Sequence, residues 1–136
     1  MPRRADVLTP IVLRSATPRE SMWRLISVTV APNDDLVFLS SVGEVFRLGA
    51  DGELRLIVRL PAGHYHRTNL ATGPDGSIYV CAGYQIRQIF RISPARDVSV
   101  VASDLADPGG IVLGPDGSLY VPEAALHRII RISAAR

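Results

Sequence analysis

Residues 69–80 read NLATGPDGSIYV, and residues 110–121 read GIVLGPDGSLYV: nearly the same twelve letters, 41 positions apart. Self-similarity at a fixed period constrains a fold more than composition does, because each repeat must become one structural unit packed on its neighbours. With Pro74-Asp75-Gly76 as anchor, the tripeptide recurs at Pro115-Asp116-Gly117, and a degenerate copy, Pro32-Asn33-Asp34, stands 42 residues earlier in VTVAPNDDLVFLS. Other segments keep the same order. VFRLG (45–49), IFRIS (89–93) and IIRIS (129–133) each follow their turn, and ELRLIVRL (53–60) and DVSVVASDL (97–105) come after the first two. The chain therefore repeats three times at about 41 residues.

Within each unit the pattern is that of strands. Ser77-Ile78-Tyr79-Val80 and Ser118-Leu119-Tyr120-Val121 are rich in β-branched and aromatic residues and follow a Pro-Asp-Gly turn. Pro presets φ, Asp bonds the backbone ahead of it, and Gly accepts the positive φ that restarts the strand. IFRIS alternates apolar and polar residues, so one of its faces is buried and its Arg points to solvent or an edge. No segment sustains a helical period. Four short antiparallel strands at a period of about 40–45 residues are the signature of β-propeller blades. The sequence thus predicts an all-β chain of three four-stranded blades, half of a six-bladed ring.

The expected blades are 24–60, 69–103 and 110–133, the last lacking its fourth strand, and DVLTPIVLR (6–14) is the candidate closing strand. Three blades do not close a ring, since propellers have about 4–8. An open one leaves apolar blade faces in water. The expectation is a homodimer of C2 symmetry completing six blades, each chain lending its first strand to the other. The alternatives are a fragment of a longer propeller and a half that docks on a separate partner.

Composition closes off several classes. Hydrophobic residues make up 47% and charged ones 21%, a soluble globular balance. All fifteen basic residues are Arg, scattered along the chain, so neither a Schiff-base lysine nor a nucleic-acid footprint is expected. The single Cys81 forbids an internal disulfide and reads as a buried inert thiol. The N-terminal apolar run is broken by Pro10 and Arg14, too short for a signal peptide, and no stretch is long enough to cross a bilayer. A cytoplasmic protein without membrane partners is the resulting expectation.

LADPGGIVLGPDGSLYVPEAALHRIIRIS and NLATGPDGSIYVCAGYQIRQIFRIS resemble the repeats of the NHL and gluconolactonase (regucalcin)-like six-bladed propellers. The resemblance covers residues 69–133 well and 24–60 loosely. It implies architecture firmly and activity weakly, because the fold hosts lactonases, lyases, quinone-dependent sugar dehydrogenases and binding proteins. GHYHRTNLATGPDGSIYV (63–80) is also similar to soluble sugar dehydrogenases, which carry a general-base histidine facing pyrroloquinoline quinone just ahead of such a strand. His64 and His66 are displaced from that histidine by a residue, and that family's neighbouring long insertions are missing here.

In a propeller the connection into each innermost strand and the loop after the second strand share one face around the channel. The leading loops ATPRES, PAGHYHRTN and ADPGG bring Glu20, His64, His66, Asn69 and Asp107, and the second-strand loops add Tyr84, Glu123 and His127. His64, His66, Asn69, Tyr84, Glu123 and His127 are the candidate ligand-binding residues. Glu20, His66, Asn69 and Asp107 are of the types that hold a hard or borderline divalent cation (Ca, Mg, Zn or Mn). The resemblance to gluconolactonases implies such a cation polarising a lactone carbonyl and activating water. Each residue has a plainer reading: the histidines as solvent-facing loop residues, His127 as a surface partner of Glu123, and Asp107-Pro108-Gly109-Gly110 as a turn. Asp75 and Asp116 are turn residues of the opposite face, Tyr79 and Tyr120 pack on strands, and Trp23 fills core. Two functions follow: a scaffold binding a small molecule or a protein loop on its top face, or a metal-dependent lactonase or hydrolase.

Overall fold

The computed structural model describes residues 24–133. Within them, eleven strands form three antiparallel sheets. The first holds β1 (Leu25–Val30), β2 (Leu36–Ser40), β3 (Glu44–Leu48) and β4 (Leu54–Arg59) in sequential order. The second repeats that order with β5 (Thr68–Thr72), β6 (Ile78–Ala82), β7 (Gln88–Ile92) and β8 (Val98–Ala102). The third has three strands among the described residues: β9 (Val112–Leu113), β10 (Leu119–Glu123) and β11 (Arg128–Ile132). The expected closing strand at 6–14, Glu20 and Trp23 lie outside the described residues. No helix among the described residues is long and apolar enough to cross a membrane.

The turns explain why the strands begin where they do. Asp75 accepts the Ser77 backbone N–H at 2.9 Å and the Ser77 hydroxyl at 3.0 Å, and Asp116 treats Ser118 the same way, both at 3.0 Å. Gly76 (φ 89°) and Gly117 (φ 85°) take the left-handed conformation that turns the chain back. In the degenerate copy Asp34 takes it instead, at φ 70°, and Asn33 accepts the Asp35 N–H at 3.1 Å. Asp is among the few side chains that tolerate this conformation.

First strands pack on first strands, β1 on β5 and β5 on β9, which makes them the inner row around the channel. Hydrogen bonds one repeat apart tie the first two: Ser27 Oγ donates to the Thr68 carbonyl at 2.9 Å, and Thr72 Oγ1 donates to the Val30 carbonyl at 2.8 Å. Strand alternation then sends opposite faces of one sheet to two neighbours. From the second blade, Leu70, Ile78, Val80, Phe90 and Ile92 join Val37, Leu39 and Val45 of the first. Its other face, with Ala71, Tyr79, Cys81 and Ile89, joins Leu119, Val121 and Ile130 of the third. Sheets face to face around an inner row of strands make the β-propeller, here three blades of it.

Candidate functional site

The β2–β3 loop (Ser41–Gly43) and the link from β4 to β5 (60–67) lie at the top end, opposite the Pro-Asp-Gly turns. One buried ring joins them. Tyr65 is 1% exposed, donates its hydroxyl to the Pro61 carbonyl at 2.6 Å, and donates its backbone N–H to the Ser41 carbonyl at 2.9 Å. A Cβ at Gly43, whose φ is +86°, would stand 2.6 Å from this ring, so the loop closes only around glycine. Burial pushes the Tyr65 phenol up to about 12, keeping it a neutral donor. The flanking histidines attract notice in the sequence, yet the tyrosine between them fixes the link. Its only sequence signal is a large aromatic residue amid Gly and Pro.

With Tyr65 anchored, His64 and His66 project to the exposed side, their ring centroids 6.0 Å apart. Tyr84, at the tip of the β6–β7 loop with φ 57°, meets His66 edge to face at 5.6 Å. Beside this row opens a recess of about 680 Å³, lined by Arg24, Ser41, Val42, Gly63, His64 and His66 among others. The recess carries π faces, imidazole donors and acceptors, and a guanidinium. This suits a polar, partly unsaturated or anionic small molecule, or the tip of a loop. Of the six candidate ligand residues, the structure brings together His64, His66 and Tyr84.

The others stand elsewhere. Asn69, exposed on β5, pairs in register with Cys81. Asp107 (φ 55°) reaches back one blade to Arg67 at 3.3 Å. Glu123, 3% exposed, accepts the Ala106 backbone N–H and the Arg128 guanidinium Nε–H, each at 2.8 Å. The Ala106 amide first and Arg128 second hold its carboxyl below the usual range. In this geometry Glu123 fastens the link into the third blade. Its ionic partner is Arg128, one position beyond His127, which was the neighbour the sequence suggested. His127 itself is exposed, left-handed at φ 50°, and closes the 3-10 turn Ala124–Leu126.

For a divalent cation the donor set must converge within a few ångströms. Among the described residues no three His, Cys, Asp or Glu side chains do so. Of the sequence's cation set, His66 borders the recess, Asn69 lies on β5, Asp107 is engaged by Arg67, and Glu20 falls outside the described residues. The described residues alone therefore do not fit a cation there.

Among solved structures the chain is similar to several propellers. A catalytically inactive virginiamycin B lyase from Staphylococcus aureus, with quinupristin, superposes with a TM-score of 0.68 at 20% identity, covering 80% of this chain and 38% of the other. A streptogramin B lyase gives 0.63 at 21% identity, covering 82% and 41%, and a gluconolactonase candidate gives 0.61 at 19%, covering 76% and 43%. The chain thus spans about two fifths of the length of the structures it matches. No family model and no curated protein matches the sequence. Identities this low speak for the fold alone: it is a β-propeller fold, of which the described residues form three blades.

Proposed function

We propose that this chain is a propeller scaffold that binds a small molecule or a protein loop on its top face, within a ring completed by a second copy. The observation that carries the first half is the recess bordered by His64 and His66, on a link that the buried Tyr65 anchors. The second half rests on arithmetic: the propellers of similar fold are about twice as long, and two copies of three blades would supply one six-bladed ring.

The test is a thermal-shift and calorimetric screen of small polar compounds, sugar lactones and aromatic acids included. A saturable ligand is expected, with affinity falling at least tenfold in His66→Ala and in Tyr84→Ala while the fold survives. Ligands whose affinity ignores both substitutions would place the site elsewhere.

A metal-dependent lactonase is the second reading, favoured by the fold shared with a gluconolactonase candidate. It requires a divalent cation and ligands beyond the described residues, Glu20 first among them. Hydrolysis of gluconolactone that is lost after chelation, restored by Ca, Mg, Zn or Mn, and abolished in Glu20→Ala would establish it. Unchanged stability in chelator together with no turnover would leave the scaffold.

A further inference from the structure

The bottom end, some strands away from the recess, breaks the repeat in one place. In the second and third blades the third-strand arginine is held by the turn aspartate: Arg91 donates to Asp75 at 3.5 Å and to the Ser77 hydroxyl at 2.8 Å, and Arg131 donates to Asp116 at 2.8 Å. In the first blade the turn carries Asn33 instead, and its side-chain oxygen is occupied by the Asp35 N–H. Arg47 is left with Asp35 at 3.8 Å, and its buried Nε makes no hydrogen bond.

Two more cations gather at the same spot. Arg55 on β4 stands directly opposite Arg47 in the register, where the second blade opposes Arg91 with Ser99. Like charges facing across a strand pair destabilise a sheet. The neighbouring blade adds Arg96, held in the left-handed conformation at φ 70° by its N–H to the Ser93 carbonyl at 2.8 Å. Arg47, Arg55, Arg96 and Ser93, with Ile57 and Ile78 beneath, line one cavity of about 200 Å³ at the seam of the first two blades. Among the described residues no carboxylate lines it. Asp51 takes part of Arg55 at 3.3 Å, and Arg96 has no ion pair among the described residues. Three guanidiniums around a small cleft, that of Arg96 without an ion pair among the described residues, form a site for a phosphoryl group, whose oxygens take forked N–H donors from several arginines at once.

We infer that this seam binds a phosphate dianion or the phosphoryl end of a phosphate monoester. The site is separate from the top-face recess and does not depend on its ligand. Unfolding temperature and calorimetry are measured against inorganic phosphate and, in parallel, phenyl phosphate, with chloride at matched ionic strength as control. Saturable stabilisation by at least one of the two is expected, weakened at least tenfold in Arg96→Gln, which alters an exposed turn. The relative affinities tell free phosphate from a monoester end. Arg55→Gln supplies an independent arm. In chloride it should unfold no lower than the parent, because it relieves repulsion, yet its phosphate response should shrink at least tenfold. Phosphate doing no more than chloride, or acting equally on the parent and both variants, would overturn the assignment.

Discussion

The second and third blades are written in almost the same letters and live in different surroundings. Following equivalent positions around the molecule, Val45, Ile89 and Ile129 are each the second residue of the third strand of their blades. The first two are fully buried, Ile129 is 73% exposed. Val37, Tyr79 and Tyr120 follow the same course, from buried to half-buried to exposed. Each of these side chains points toward the following blade, so the first two are covered by a neighbour and the third has none among the described residues. The sequence specifies an inter-blade face three times and the described fold fills it twice. A row of aliphatic and aromatic side chains in register is the pattern of a seam between blades, and its cost in water is the physical ground for expecting a partner there.

That contrast can be broken most directly at the paired isoleucines. Ile89→Ala removes a fully buried side chain from the seam between second and third blades and should cost about 2–5 kcal/mol in urea unfolding. Ile129→Ala should cost no more than about 0.5 kcal/mol in a separated chain, as surface changes do. In the completed ring the two should converge, and Ile129→Asp should release single chains on a sizing column. An Ile129→Asp protein that elutes and unfolds like the parent would show that nothing covers this face.

Cys81 sharpens the comparison from inside the seam. It is 1% exposed, and burial pushes its thiol up to about 11, so the thiolate needed for reaction is scarce at neutral pH. Labelling by a thiol reagent at pH 8 should be slow in the parent and several-fold faster in Ile89→Ala, because it requires the third blade to lift away. Fast labelling of the native parent would mean that the seam is loose and the two blades are less alike in packing than their letters.

The turns should give the smallest effect. Asp75 is held below the ordinary carboxylate value of 3.8 chiefly by the Ser77 backbone N–H, and Asp116 by that of Ser118 followed by its hydroxyl and Arg131. Groups whose folded value is depressed add stability that is complete above 3.8 and disappears as pH falls through the lower folded value. The unfolding temperature should therefore drop as pH goes from about 5 to about 2, and Asp75→Asn with Asp116→Asn should flatten that limb. An acid limb unchanged in the double variant would remove these turns as its cause.

Much of the architecture is legible in the letters because propeller repeats are local: a Pro-Asp-Gly turn and the β-branched and aromatic residues after it place the starts of β6 and β10 within a residue of where they lie. The opposite orientations of neighbours such as Val80 and Cys81 follow from alternation alone. The site is less legible because its geometry is built by long-range contacts. Nothing in the spacing of His64 and His66 tells that Tyr65 is the residue that docks. Glu123 looks like a ligand until its backbone partner at Ala106, seventeen positions earlier, comes within 2.8 Å. The orphaned Arg47 becomes visible only when its counterparts, Arg91 and Arg131, are seen to hold turn aspartates.

The central claim is that the open face of the third blade belongs to an inter-blade seam which a second copy fills. Light scattering on a sizing column, over a range of concentrations, tests it most directly. The account predicts a particle of two 14.7-kDa chains that splits on Ile129→Asp. A soluble particle of one chain at every concentration, with Ile129 still open to solvent, would contradict it.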